Sequence, residues 1–173
     1  MPTGDLREWR IAVEHAVSAT AVWFEGAFGY PLEGNEVVGP DPEGVALLAA
    51  CGPTIPADLL SFYATIGEVS LPDIGNGWFI ERAASVAATY ASGELRKFAG
   101  RHGTDIVAFA SDGGCGRFAL GCPAGGPVYQ IADGCLPEPD DPNHNIVAAD
   151  LSEFLGRLRT YVERFSVNGE IAF

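Results

Sequence analysis

Apolar residues recur at helical spacing over four turns near the end of the chain, which is its clearest pattern. Asp150 precedes this stretch and Glu153 follows three positions later, an arrangement in which each side chain satisfies free backbone N–H groups at a helix start. The spacing predicts a helix that begins at Asp150 and buries one face against a sheet or another helix. That face consists of Leu151, Phe154, Leu155, Leu158, Val162 and Phe165.

A second helical pattern opens the chain. Asp5 and Glu8 stand in the same capping arrangement, so we expect the first helix to begin at Asp5. The pattern ends near Gly26, and residues 26–40, with several Gly, Pro and Asn, predict a loop. The apolar face of this helix consists of Leu6, Trp9, Val13, Ala16, Val17 and Thr20.

Further helices are predicted in the middle of the chain. Asp41 is a good N-cap, and Pro42 suits the first helical position. The next helix runs from Pro56 to Gly67, whose glycine we expect to end it. The alanine-rich stretch 81–101 predicts one or two helices, interrupted near residues 92–93.

Short β-type runs replace the helical spacing from residue 104 onward. They are joined by tight glycine-containing turns, which predict an antiparallel meander because a parallel pair needs a long crossover. The acidic, proline-rich segment 133–145 predicts an exposed loop, and residues 71–77 a turn-rich connection. The predicted strands lie at 78–80, 106–110, 117–120, 128–131 and 146–148.

These elements together predict an α+β fold. A central antiparallel β-meander is flanked by N-terminal helices and by a closing C-terminal helix. We divide the chain into residues 1–40, an N-terminal helix and loop extension, and residues 41–173, a single globular unit.

The charge of the chain separates classes of function. Its 173 residues carry 10 Lys and Arg against 23 Asp and Glu, a net charge of −13. Such a chain repels phosphate backbones, so we expect no direct binding to nucleic acid. It attracts a basic protein at long range, although acidity that serves only solubility is the alternative.

A hydrophobic content of 47% excludes disorder as the main state. The apolar runs are too short for a membrane span and no secretory signal is evident, so we expect a cytoplasmic protein.

The cysteines allow a metal-site hypothesis. Cys115, Cys122, Cys135 and His144 are separated by 6, 12 and 8 residues, without the close cysteine pair that structural zinc sites usually contain. We therefore expect no metal and no cofactor, with cysteine acting as a small apolar residue. Whether these four residues lie near one another stays open.

The glycine-rich loop 112–116 allows two interpretations. A phosphate cradle lacks support because no Lys-Ser/Thr pair and no helix follow, so a tight hairpin turn is favoured. Cys115 has no visible base beside it, and no histidine belongs to a catalytic motif. We expect no enzymatic activity. The alternative is an enzyme or small-ligand-binding protein that uses the Asp112 turn with a nearby cysteine or histidine.

Several segments follow one another in an informative order. The segment 55–63 followed by Ile66-Gly67 has the pattern Ile-Pro, acid, Leu, Phe-Tyr and Gly, and 106–114 reads as a strand with Phe-Ala and Asp-Gly-Gly. Further pieces in the same order are Trp78-Phe79-Ile80, Phe118-Ala119-Leu120, Val128-Tyr129, Val147-Ala148 and the helix 151–158. Over residues 41–165 this order resembles the SUKH superfamily of Smi/Knr-type domains.

The chain departs from that family at two positions. The family's helix commonly ends in Asn-Gly, where this chain has Ile66-Gly67, and many members place an acid where Arg117 stands. If residue 117 contacts a ligand, this chain therefore favours a ligand of the opposite charge from the one that those family members favour. Residues 1–40 lie outside the resemblance.

The resemblance implies a non-enzymatic protein-binding domain. Bacterial members are regarded as immunity proteins that neutralise toxins, many of them nucleases, and other members are regulatory interaction modules. A basic toxin domain would agree with the charge of this chain. Trp78 has core packing as its alternative role. The candidate partner-binding residues are Glu68, Asp73, Trp78, Asp112, Arg117, Asp140 and Asp141.

Overall fold

Seven antiparallel strands form one sheet in the order in which they follow along the chain. The computed structural model describes residues 3–93, 105–114, 116–122, 126–132 and 146–169. Within these ranges each strand pairs with its neighbours in sequence, so the sheet is a meander. The strands are β1 (Glu36–Val38), β2 (Glu68–Leu71), β3 (Trp78–Ile80), β4 (Ile106–Ser111), β5 (Gly116–Gly121), β6 (Val128–Ala132) and β7 (Ile146–Ala148).

Five helices accompany the sheet in the described part of the chain. An N-terminal helix precedes the strands and a C-terminal helix closes the fold, which confirms the predicted α+β class. The helices are α1 (Thr3–Phe28), α2 (Pro42–Ala50), α3 (Ala57–Tyr63), α4 (Ala83–Ser92) and α5 (Leu151–Asn168).

Two of the predicted helix starts are confirmed by their hydrogen bonds. Asp41 Oδ1 accepts from the Gly44 N–H at 2.9 Å at the start of α2. Asp150 Oδ1 accepts from the Glu153 N–H at 2.8 Å, and Glu153 Oε2 accepts from the N–H of Ala149 at 2.6 Å. The Asp150 bond is that of a capping box, whereas the Glu153 carboxylate reaches the N–H of the residue before the N-cap and not that of Asp150 itself.

Four local predictions are corrected by the structure. Strand β1 lies within the stretch 26–40 that predicted a loop, and β2 precedes the turn-rich connection, where the pattern predicted no strand. Helix α1 begins at Thr3 instead of Asp5 and continues to Phe28, and α3 ends at Tyr63 instead of Gly67. The two strands have three and four residues, too few for alternation to be recognised, and they are defined by their partners.

The inner face of the sheet forms the main core with all five helices. A β-bulge in β4 helps to fill this face, because the register shifts between Ala108 and Ala110. Ala110 is paired with Phe118 on the inner face, and Phe109 also reaches the core, where its ring meets that of Phe154 edge-on at 5.3 Å between centroids.

The outer face of the sheet is divided into two halves. On β4 to β6 it carries a second buried cluster, formed by Ile106, Ala119, Tyr129 and Ile131 with Ala108 packed against it. On β1 to β3 it is mostly polar, with Glu36, Glu68 and Ser70 beside Val38 and Phe79. Residues that pair directly across antiparallel strands share a face, so one row crosses the outer face through Glu36, Ser70, Phe79, Ser111 and Arg117.

Candidate functional site

A cleft of about 470 Å³ opens where β1 ends, β2 begins and α4 begins. Its volume falls within the range of about 300–1,000 Å³ that small-ligand pockets occupy. We call it the Arg82 cleft. It is lined by Val38, Gly39, Pro40, Asp41, Pro42, Glu43, Gly67, Glu68 and Arg82.

The base of the Arg82 cleft is fixed by a close approach of two backbone segments. The Gly67 N–H donates to the carbonyl oxygens of Val38 at 3.1 Å and Gly39 at 3.0 Å. A Cβ atom at position 67 would collide with the Gly39 carbonyl oxygen. Gly67 is therefore needed for this contact and not, as we predicted, for ending α3.

One wall of the cleft is the start of α2. Asp41 is held by its hydrogen bond to the Gly44 N–H, so its carboxylate has a fixed place beside the cleft. Pro40 and Pro42 flank it, and their rings restrict the backbone while presenting apolar surface. This wall is therefore rigid, and it presents a carboxylate beside apolar surface.

An ion pair joins two of the residues that line the cleft. Arg82 Nε lies 2.5 Å from Glu68 Oε2, and the Arg82 side chain is 64% exposed. The hydrogen bond and charge of Glu68 raise the pKa of Arg82 above its ordinary value, and the charges of Glu36 and Asp41 add to this effect. Glu68 is 24% exposed, so solvent reaches the pair from the Arg82 side and the pair contributes little to stability.

The charges around the cleft are unbalanced. Among the lining residues, Asp41, Glu43 and Glu68 supply three carboxylates against the single guanidinium of Arg82. Glu36 lies on the same outer sheet face as Glu68 and acts on Arg82 as well. The site favours an incoming cation and repels anions.

Glu68 and Arg117, which we predicted as partner contacts, lie on the same face of the sheet. Glu68 is half-buried on β2, opposite Val38. Arg117 is exposed on β5, opposite Ser111. The sheet therefore presents both to the outside.

The assignment of Trp78 to a partner-binding surface is corrected, because this side chain is buried in the core. Its ring stacks on Phe118, with centroids 5.5 Å apart, and meets Tyr161 edge-on at 5.4 Å. Trp78 pairs with Leu71 on the inner face of the sheet, opposite to the face of Glu68 and Arg117.

Asp73 and Asp112 organise turns at the other end of the strands. Asp73 Oδ2 accepts from the Glu33 N–H at 2.9 Å and from Asn35 Nδ2 at 2.7 Å. Asp112 Oδ1 accepts from the N–H groups of Gly114 at 3.0 Å and Gly116 at 3.1 Å. Since β4 and β5 pair directly on either side, the hairpin interpretation of this loop is confirmed.

The remaining candidates for chemistry are distributed over the fold. Burial raises the pKa of the Cys122 thiol to about 12, and the charge of Asp105 adds to the shift. In the ranges that the structure describes, no group of three or more His, Cys, Asp or Glu side chains is arranged to hold a metal ion. The predicted candidates that lie outside these ranges are Cys115, Cys135, Asp140, Asp141 and His144.

Sequence reasoning did not find Arg82 or the grouping of acids around it. Glu68 and Arg82 are 14 positions apart, and only the pairing of β2 with β3 brings them together. The signal available in the sequence was the cluster of Glu36, Asp41 and Glu43 within a stretch that we predicted as loop and helix start.

The fold and this site define an α+β protein with an acid-lined cleft at the polar half of its sheet. In comparisons with known proteins, no family model matches the chain and no curated protein matches it. No helix among the described residues has the length and apolar character needed to cross a membrane.

Proposed function

We propose that this chain is a non-enzymatic domain that binds a basic protein in the cytoplasm. The observation that carries the proposal is the Arg82 cleft, where three carboxylates meet one exposed guanidinium on a chain of net charge −13. Following the resemblance to SUKH domains, we propose an immunity protein that neutralises a basic toxin, with a regulatory target as the other form of the same function.

Electrostatics supports a protein partner. Complementary charge accelerates encounter and orients the two surfaces before contact, and it disfavours partners of the same sign. The three carboxylates of the cleft also repel phosphate groups, and Arg82 is the single Lys or Arg in its lining. A basic nuclease domain fits these requirements because its own substrate-binding surface is positively charged.

The alternative, an enzyme that uses the Asp112 turn, has less support. The Asp112 carboxylate already accepts two backbone N–H groups of its own hairpin. Cys122 is buried with a raised pKa, which disfavours the reactive thiolate at neutral pH. Both groups are thus explained by the fold.

Capture from native lysate, followed by titration with the purified partner, tests the proposed function. We expect a basic protein that binds one to one, and whose association slows when salt is raised from about 0.05 M to about 0.5 M, since screening shortens the range of attraction. A combined Glu36→Gln, Glu43→Gln and Glu68→Gln variant should associate more slowly than wild type.

The matched control removes three acids elsewhere. Asp5→Asn, Glu8→Gln and Glu25→Gln change the net charge by the same amount on exposed positions of α1. Equal slowing by both variants would show that only total charge matters and not the cleft. Turnover of a small substrate by the chain alone would contradict the proposed function itself.

A further inference from the structure

Arg82 behaves as a cation supplied by the chain itself to an acidic cleft. It stands at the N-cap position of α4, where its guanidinium cannot cap the helix because it has no acceptor atom for the free N–H groups. Its guanidinium instead reaches Glu68 and stays 64% exposed. The pair shows that the Glu68 carboxylate accepts a guanidinium within the lining of the cleft.

The walls of the cleft suit the rest of an arginine side chain. Val38, Pro40 and Pro42 present apolar surface on which the methylene stem can lie. Glu43 and Glu68 supply carboxylates for the planar guanidinium, which binds such groups through paired hydrogen bonds. The volume of about 470 Å³ leaves room for the side chain with its flanking peptide groups.

We propose that the Arg82 cleft receives an arginine side chain of the basic partner, which displaces the Arg82 guanidinium from Glu68. This inference rests on the proposed function and names the contact through which it acts. Arg82 then competes with the partner's arginine for the Glu68 carboxylate. The Arg82–Glu68 ion pair is weak because solvent screens it. Replacing Arg82 should therefore strengthen binding of the partner's arginine by up to about fivefold.

Nα-acetyl-arginine-N-methylamide is the probe that tests this inference. Titration followed by backbone amide NMR should shift Gly39, Gly67 and Glu68 saturably, with Gly156 on α5 as an unaffected reference. The citrulline analogue, which has nearly the same shape without the charge, should give no saturable shift. Arg82→Met should bind the probe up to about fivefold more tightly, and Glu68→Gln should lose binding.

Two control variants match these changes in charge. Arg164→Met removes an exposed arginine from α5, and Glu8→Gln an exposed acid from α1, so both should bind the probe as wild type does. Thermal unfolding verifies that each variant is folded, and Glu43→Gln provides a second acid variant if Glu68→Gln is not.

The inference is overturned if the cleft amides do not shift, if citrulline binds equally, or if Arg82→Met binds no more tightly than wild type. Stronger binding of the corresponding lysine probe would overturn the choice of arginine. If the purified partner still binds one to one with salt dependence, only the cleft contact fails. If partner binding is also absent, the proposed function fails with it.

Discussion

The indole Nε1 of Trp9 donates a 2.7 Å hydrogen bond to the main-chain carbonyl oxygen of Leu155, 146 positions away. Both residues are buried. One end of the contact lies on α1 and the other on α5. A second bond of the same kind joins Trp23 Nε1 to the carbonyl oxygen of Ser166 at 2.8 Å. Helices α1 and α5 are therefore held side by side at two levels and share one core.

Trp9→Phe should destabilise the protein. The substitution keeps an aromatic ring in the core but removes the only N–H that this side chain donates, at an expected cost of about 1–2 kcal/mol in the free energy of unfolding. Urea denaturation measures this cost. Trp23→Phe is the matched comparison and should cost less, because Trp23 is only partly buried. A Trp9→Phe variant as stable as wild type would show that the hydrogen bond is energetically neutral.

Gly67→Ala should destabilise the cleft and the fold together. The added methyl group must displace the Gly39 carbonyl oxygen, which is backbone and cannot move aside cheaply. Crowding of this kind costs about 1–3 kcal/mol. Denaturation measures the loss, and NMR shifts of the amides of Val38, Gly39 and Asp41 should show that the cleft is altered.

Gly156→Ala is the opposite case and serves as control. Gly156 is exposed in α5 with nothing within 4 Å of an added Cβ, so alanine should stabilise the helix by about 1 kcal/mol. If both glycine variants lost stability equally, steric crowding at position 67 would not be the cause.

The long helices and the central hairpins were predictable because their signals are local. The helix at the end of the chain has its cap and apolar face within one continuous stretch, and the bond from the Glu153 N–H to Asp150 is as predicted. Strands β4 to β6 are long enough, and their turns short enough, for pairing to follow from order alone.

The short strands and the cleft were not predictable in the same way. Glu36–Val38 is a strand because β2 lies beside it, and Arg82 joins the site because β3 returns next to β2. Trp78 illustrates the same limit for a single side chain. The pairing of Trp78 with Leu71 places its side chain on the inner face of the sheet. A shift of the pairing by one residue would place it on the outer face.

Asp112→Ala should loosen the β4–β5 hairpin. It removes the acceptor of two backbone N–H groups, and we expect a loss of about 1–2 kcal/mol in unfolding free energy. Asp112→Asn keeps one side-chain oxygen and should lose less. Hydrogen exchange at the amides of Gly114 and Gly116 measures the effect, and unchanged exchange in the alanine variant would contradict this account of the turn.

The free energy of unfolding should decrease as the pH rises into the alkaline range, and the ionisation of Cys122 should account for part of this decrease. Burial raises the pKa of its thiol from 9.0 to about 12, so between these values the unfolded chain releases a proton that the folded chain keeps. Proton release then favours the unfolded state. The stabilising contribution is complete below pH 9 and is lost as the pH rises toward 12.

Cys122→Ala should therefore show a flatter dependence of unfolding free energy on pH between about 9 and 11. A residual slope is expected, because burial also raises the pKa of Tyr63, with the charge of Glu81 adding to the shift. Chemical denaturation at a series of pH values measures both proteins. A wild-type slope in Cys122→Ala would mean that the Cys122 thiol ionises as readily in the folded protein as in the unfolded chain.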